Sequence, residues 1–298
     1  MPLEPAILGR VRGEVRYDEP LALHTSLKVG GPADAFVVPA DRDDLLLLLA
    51  TLRRQAVPYL LVGGGYNLLC RDGGYRGVAI SLRRLIGMAR QPGDRVLVEA
   101  GVSTGALTGF LVAEGLSGLE FLCGIPGTEG GALAMNAGAH GGATLDRVDR
   151  LTTWRDGVVT DSAPGELEYG YRYLTLAAGE VVLAASFVLQ RAEPAELVKV
   201  VADLRALRQA AQQVGLPNAG SFFKNPPEAL AWQLIERAGL RGLQVGMAQV
   251  SEVHCNFLVN RGGATALDFL ALAAQVKERV LAATGITLVE EVRIVGEE

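Results

Sequence analysis

The chain has 298 residues, 49% of them hydrophobic and 20% charged, and 28 basic against 33 acidic side chains leave a formal net charge of −5. This composition excludes a disordered chain and supplies material for about two packed domains. A pI near 5.4 argues against a nucleic-acid binder, because phosphate contacts need a basic face, so an anionic ligand has to be held by local groups.

In chain order, residues 35–38 read as a short strand. Residues 41–55 read as a helix, with acidic residues in the first turn and Arg53 and Arg54 at the end, as the helix dipole favours. Residues 59–62 form a buried-type strand that runs into Gly63, Gly64 and Gly65. Strands follow at 78–81 and 95–99, then a helix over 105–114. Residues 116–143 are glycine-dense with little periodicity. Strands are predicted at 151–153, 158–160 and 181–190. After Pro194, which suits the first helical position, Leu197, Val200, Val201, Leu204, Leu207, Ala211 and Val214 share one helix face. Gly215 and Pro217 end that helix. A second amphipathic helix is predicted over 227–238, with Leu230, Leu234 and Ile235 on its apolar side and Gly239 behind it. Thr265 and Asp268 have capping-box spacing for a helix reaching about 284, and a strand follows over 287–295. A boundary therefore lies near 193, between a glycine-rich, strand-dominated part and a helix-rich α+β part. A split of the first part near 84 gives domains at 1–83, 84–192 and 193–298.

The longest apolar run, 45–50, is too short to span a bilayer. The N-terminal residues lack the pattern of a signal or transit peptide. Three widely spaced cysteines (Cys70, Cys123, Cys255) and three histidines (His24, His140, His254) form no metal-binding spacing. The expectation is a cytoplasmic protein in a reducing compartment, with no metal, no nucleic acid and no membrane partner.

Glycine is over-represented, at 37 of 298 residues, and clusters. The run Leu60-Leu61-Val62-Gly63-Gly64-Gly65-Tyr66-Asn67 is a strand ending in three glycines, either a tight turn or a nest of backbone N–H groups for a phosphate. It is not a dinucleotide fingerprint, since a GxGxxG frame from Gly63 ends on Leu68. No lysine precedes Ser or Thr, so no P-loop is present. The stretch Gly124-Ile125-Pro126-Gly127-Thr128-Glu129-Gly130-Gly131-Ala132, continuing through Asn136, Gly138, Gly141 and Gly142, carries fewer charged and small polar residues than a plain surface loop. It suits a second nest for a diphosphate, with Thr128 and Asn136 as uncharged donors. Gly101-Val102-Ser103-Thr104-Gly105 matches GxSxG between a strand and a helix, and with Asp146 and His254 it permits a serine-hydrolase reading. The simpler reading of Ser103 is a helix cap. Ser221, Lys224 and Asn225 fall between two helices. In the last predicted strand, alternation places Val289, Glu291 and Arg293 on one face and Glu290 on the other. Tyr169-Gly170-Tyr171-Arg172-Tyr173 sets one arginine among aromatics, which suits either carboxylate binding or ordinary packing.

Together, seven segments resemble the UDP-N-acetylenolpyruvoylglucosamine reductase family, in family order over almost the whole chain. They are 24–34, 61–69, 115–141, 169–174, 218–226, 250–265 and 290–296. The resemblance implies an α+β chain, with a two-subdomain PCMH-type FAD-binding fold of the vanillyl-alcohol-oxidase kind followed by a C-terminal α+β substrate-binding domain. The short chain is similar to the compact second type, which lacks the insertion whose tyrosine folds over the nucleotide. Tyr66 departs from the serine common at its position. FAD is expected on Val62, Gly63, Gly64, Gly65, Tyr66 and Asn67 and on Gly124, Ile125, Pro126, Gly127, Thr128, Gly130, Gly131, Ala132, Asn136 and Gly138. It is expected to be non-covalent, since no histidine lies in the triple-glycine loop. The implied reaction reduces UDP-N-acetylglucosamine enolpyruvate, with NADPH as co-substrate, hydride passing from flavin N5 to C3 and a proton to C2. By family position Arg172 holds and polarises the substrate carboxylate, Glu291 shares that hydrogen bond or orients the arginine, and Ser221 donates the proton. Tyr171, Lys224 and Asn225 contact the substrate. An oxidase on the same flavin fold and a non-catalytic nucleotide-binding module are the remaining alternatives.

Overall fold

The computed structural model describes residues 3–212 and 214–298; Met1, Pro2 and Gln213, which fall in the expected domains 1–83 and 193–298, lie outside the described residues. The chain divides into two compact units, one of 1–16, 35–64 and 77–208, the other of 17–34, 65–76 and 209–298.

In the first unit, Asp41 caps helix Arg42–Arg54 by accepting the N–H of Asp44, and Arg53 and Arg54 close its last turn. Leu45, Leu48, Leu49 and Leu52 form its buried stripe, at the spacing of one helix face. Asp44 is also buried, and its carboxylate accepts the backbone N–H groups of Arg12, Gly13 and Ala40 at 2.8–3.0 Å. A buried charge is tolerated only when its lone pairs are used in this way. Tyr59–Val62 pairs in parallel with 78–81, the outer pair of a four-stranded sheet in the order Glu14–Pro20, Pro32–Val38, Tyr75–Ser81, Tyr59–Val62. The second sheet is antiparallel, in the order Val158–Ser162, Val148–Arg155, Val181–Val188, Arg95–Glu99, Met88–Gln91. Its core is filled by Val96, Val98, Leu151, Ala185 and Phe187, together with Leu107 and Leu111 of helix Thr104–Glu114 and Leu133 of helix Glu129–Ala134.

The second unit holds a four-stranded sheet in the order Asn218–Ser221, Phe257–Asn260, Ala248–Val250, Gln244–Val245. Helices Ala231–Arg237 and Ala266–Thr284 bury Leu234, Ile235, Phe269, Leu272 and Val276 in its core, with Phe222 and Phe223. Arg293–Val295 pairs in parallel with Leu68–Cys70.

Three expected elements differ. The helix predicted from 227 begins at Ala231, because the side chain of Asn225 accepts the Ala231 N–H and Leu230 becomes an exposed cap. The strand predicted over 287–295 is regular only at Arg293–Val295; 289–291 is held by single contacts to 222–224. The helix after Pro194 forms over Pro194–Gln212, but only Leu197 and Val201 of its predicted apolar face are buried, and Val200 and Leu207 are exposed. Among the described residues no helix is long and apolar enough to cross a membrane.

Candidate active site

Two glycine-rich loops meet in the first unit. The strand Tyr59–Val62 ends at Gly63, whose backbone lies so close to Thr128 that a Cβ on Gly63 would sit 2.7 Å from the threonine Oγ1. Thr128 caps helix Glu129–Ala134 through the Gly131 N–H. The segment is pinned from behind by the Glu129 N–H to Val102 O at 2.8 Å and the Gly130 N–H to Ala100 O at 2.9 Å. Gly130 has to be glycine, because its Cβ would stand 2.9 Å from that of Ala100. Gly63, Gly64, Gly124, Pro126 and Gly131 leave their backbone exposed, while Val62 and Ala132 are buried behind them. Beyond the helix, Asn136 takes up a left-handed backbone with φ of 46°. Its side chain donates to Gly170 O at 2.9 Å and accepts the Leu145 N–H at 3.0 Å. The amide thus ties the glycine loop to the hairpin that carries Arg172.

That hairpin pairs Tyr169–Gly170 with Tyr173–Leu174 through a two-residue turn, Tyr171 and Arg172. Arg172 sits at φ of 61°, a conformation an L-residue adopts at some cost and that is worth relating to function. Its guanidinium lies over the Tyr171 ring, 5.8 Å from the centroid. A residue not singled out from sequence lies near it. Arg208 runs its side chain beside Gly124, with Cδ 3.0 Å from where a Cβ would be. Burial, and then repulsion from Arg172, hold its pKa below the ordinary arginine value, with a smaller opposing pull from Cys123. Two like charges brought together beside an exposed glycine loop are the local groups that an acidic chain needs in order to bind an anion. No sequence signal distinguished Arg208 from the surface arginines of its helix.

The second unit gathers the other expected residues. Ser221 ends strand Asn218–Ser221, opposite Phe257. The next residues run against 289–291: the Glu291 N–H donates to Phe222 O at 2.8 Å and the Lys224 N–H to Val289 O at 2.8 Å. The pairing sets Glu291 beside the Ser221 turn. Asn67 joins the same group, its side chain donating to Glu291 O at 3.1 Å and its own carbonyl accepting the Arg293 N–H. Gly65 is buried, and a Cβ on it would lie 2.0 Å from His24 O, so only glycine permits this approach. Glu290 pairs with Lys277 at 2.9 Å. Lys224 is half-buried, and Asn225 is engaged in capping the following helix.

Ser103, the nucleophile of the hydrolase alternative, caps helix Thr104–Glu114 by accepting the Ala106 N–H. Among the described residues no group of three His, Cys, Asp or Glu side chains could hold a metal ion.

Residues 211–295 match the family model of the UDP-N-acetylenolpyruvoylglucosamine reductase C-terminal domain, and 33–160 match that of an FAD binding domain. The UDP-N-acetylenolpyruvoylglucosamine reductase of Geobacter sulfurreducens is 61% identical over 290 residues, 97% of each chain. That of Heliobacterium modesticaldum is 44% identical over 294 residues, 96% of this chain and 92% of its own. The chain belongs to the UDP-N-acetylenolpyruvoylglucosamine reductase family. It is an FAD-dependent oxidoreductase of peptidoglycan precursor synthesis. The crystal structure of the reductase from Thermus caldophilus superimposes with a TM-score of 0.81 at 33% identity, covering 95% of this chain and 98% of that one. Part of the fold is shared more widely: an alkyldihydroxyacetonephosphate synthase structure matches at a TM-score of 0.50 and 18% identity over 63% of this chain and 41% of that one. The expected α+β chain, with a PCMH-type FAD-binding part and a C-terminal domain, is the fold of this reductase-family member.

The residues fit FAD. The Gly63 approach to Thr128 leaves no room for a side chain, and neighbouring glycine backbone is exposed. Together these make a cradle in which amide groups can reach phosphate and ring oxygens without side chains in between.

Proposed function

We propose that this chain reduces UDP-N-acetylglucosamine enolpyruvate to UDP-N-acetylmuramate, with NADPH as the electron source and FAD bound non-covalently. Its flavin contacts would come from Val62, Gly63, Gly64, Gly65, Tyr66 and Asn67 and from Gly124, Ile125, Pro126, Gly127, Thr128, Gly130, Gly131, Ala132, Asn136 and Gly138. Domains 1–83 and 84–192 would serve the flavin, and 193–298 the sugar nucleotide. The observation that carries this reading is the pairing of 222–224 with 289–291, which puts a serine and a glutamate in one group with Asn67.

When bound and reduced by NADPH, FAD supplies a hydride from N5 to C3 of the enolpyruvyl group. The work of the chain is to manage the charge that this leaves on C2 and its carboxylate, and preorganised donors do so at little reorganisation cost. Arg172 binds the carboxylate through its guanidinium fork, and the turn that forces its backbone to φ of 61° fixes the direction of approach. Arg208 adds a second positive charge beside the Gly124 loop. Glu291 would share a hydrogen bond with the substrate as a neutral acid, a state that requires removal from water, or would orient the arginine. Ser221 gives its hydroxyl proton to C2. A hydroxyl is a weak acid, so the transfer depends on the strong basicity of that carbon and on donors that re-supply the proton. Tyr171, Lys224 and Asn225 would contact the rest of the substrate.

We place the reaction in the cytoplasm, where three free, buried cysteines stay reduced. The purified protein is expected to show a flavin absorption spectrum, released intact by heat denaturation, that NADPH bleaches anaerobically. A colourless protein would remove the reading, and so would one whose flavin stays attached to the chain after denaturation.

A further inference from the structure

Glu129 stands in the middle of the second glycine loop, between Thr128 and Gly130, and its side chain points away from the exposed backbone. It is fully buried, and neither carboxyl oxygen has a hydrogen-bond partner. This is unusual: buried acids are nearly always paired or multiply hydrogen-bonded, as Asp44 is in the same unit. An apolar residue would fill the position without a desolvation cost. The elements packed on helix Glu129–Ala134 are Val181–Val188, Arg95–Glu99, Tyr173–Leu174 and the 3-10 turn Thr144–Arg147. Val181–Val188 has no titratable side chain. Arg95 pairs with Asp149, Glu99 accepts the Gly87 N–H, and Tyr173, Asp146 and Arg147 are exposed. None of them compensates a charge on Glu129.

We propose that the proton on Glu129 is a condition of flavin binding: the neutral carboxyl lets the 124–131 loop seat against Ala100 and Val102, and its loss to solvent unseats the loop and releases FAD. The inference rests on the flavin reading of this loop. The connection is short. The Glu129 N–H to Val102 O and Gly130 N–H to Ala100 O bonds hold the loop to the sheet on either side of this side chain. An ionised carboxylate with no partner is driven toward water, and to reach it Glu129 must break these bonds, carrying Thr128 and Gly131 with it. Burial alone raises the pKa of Glu129 to about 8, so the change falls in an accessible range. If only the protonated form binds, the apparent dissociation constant rises with the ionised fraction, about tenfold between pH 6 and pH 9.

The test dilutes the holoenzyme through the nanomolar to micromolar range at pH 6.0 to 9.5 and reads free flavin by fluorescence, for the parent, Glu129→Gln and Glu129→Met. The expected result is a parent that loses about tenfold in affinity by pH 9, while both neutral variants stay flat and match the parent at pH 6. Hydrogen exchange over 124–134 in the flavin-free full chain is expected to quicken above pH 8 in the parent relative to the variants. Parallel affinity profiles, or exchange in this segment that ignores Glu129, overturn the inference while leaving the flavin reading intact. A parent that binds no flavin at pH 6 removes that reading, and the inference with it.

Discussion

Replacing Ser221 by alanine is expected to leave FAD bound and still reducible by NADPH, while lowering reduction of the enolpyruvyl substrate by about 10²–10⁴-fold, the range of a lost general acid. The split follows from where Ser221 lies. It is half-buried at the end of Asn218–Ser221, and no backbone bond of the strand uses its hydroxyl. Alanine therefore removes the proton source without disturbing the Phe222 and Phe223 core beside it. Stopped-flow measurement of the two half-reactions separates the effects. Equal loss in both halves points to damaged folding, and unimpaired turnover rejects the proton-donor role. Ser103→Ala is the matching control. It deletes the Ala106 cap bond, which costs stability of about 1 kcal/mol, and leaves turnover unchanged.

The second large effect is on stability. Glu129 titrates near 4.5 when exposed and near 8 in the fold, through burial. The folded state therefore keeps its proton over a range where the unfolded chain has lost it. Stability of the parent falls as pH rises from 4.5 to 8 and is then flat, because above 8 both states are ionised. Over about 3.5 pH units at about 1.4 kcal/mol each, the loss is about 5 kcal/mol. Glu129→Gln has no such proton, so its stability relative to the parent should climb by that amount across the same window. In a Trp232→Phe background the buried Trp154 reports on the first unit alone, and urea unfolding at a series of pH values measures the difference. A stability difference independent of pH would show that Glu129 is hydrated or paired in the folded chain.

What could be read from sequence divides along local and non-local lines. Helix Arg42–Arg54 was legible to within a residue because its cap, its stripe and its terminal arginines are all encoded within the segment. So were the Thr265 and Asp268 capping box and the Gly285 stop of Ala266–Thr284. Strands Ala248–Val250 and Phe257–Asn260 went unpredicted; they are three and four residues long and exist because each pairs with the other. The apolar face after Pro194 misled, since periodicity reports amphipathicity but not whether a partner covers it. The site shows the same division. Glycine clusters and the order of motifs marked the loops, the hairpin arginine, the serine and the glutamate. Arg208 reaches Gly124 across 84 positions, and Glu129 is fully buried in a segment whose backbone bonds back to Ala100 and Val102, some 27–30 positions away. A helix-opening glutamate is ordinarily solvated, so nothing in its neighbours along the chain set it apart.

On the proposed function, reducing equivalents taken from NADPH pass through bound FAD to the enolpyruvyl ether. The most direct test is a single anaerobic turnover: the enzyme is bleached with one equivalent of NADPH, then mixed with one equivalent of UDP-N-acetylglucosamine enolpyruvate while flavin absorbance is followed. Full return of the oxidised spectrum and one equivalent of UDP-N-acetylmuramate are expected. Flavin that stays reduced in the presence of this substrate, or reoxidises without forming the lactyl ether, would contradict it.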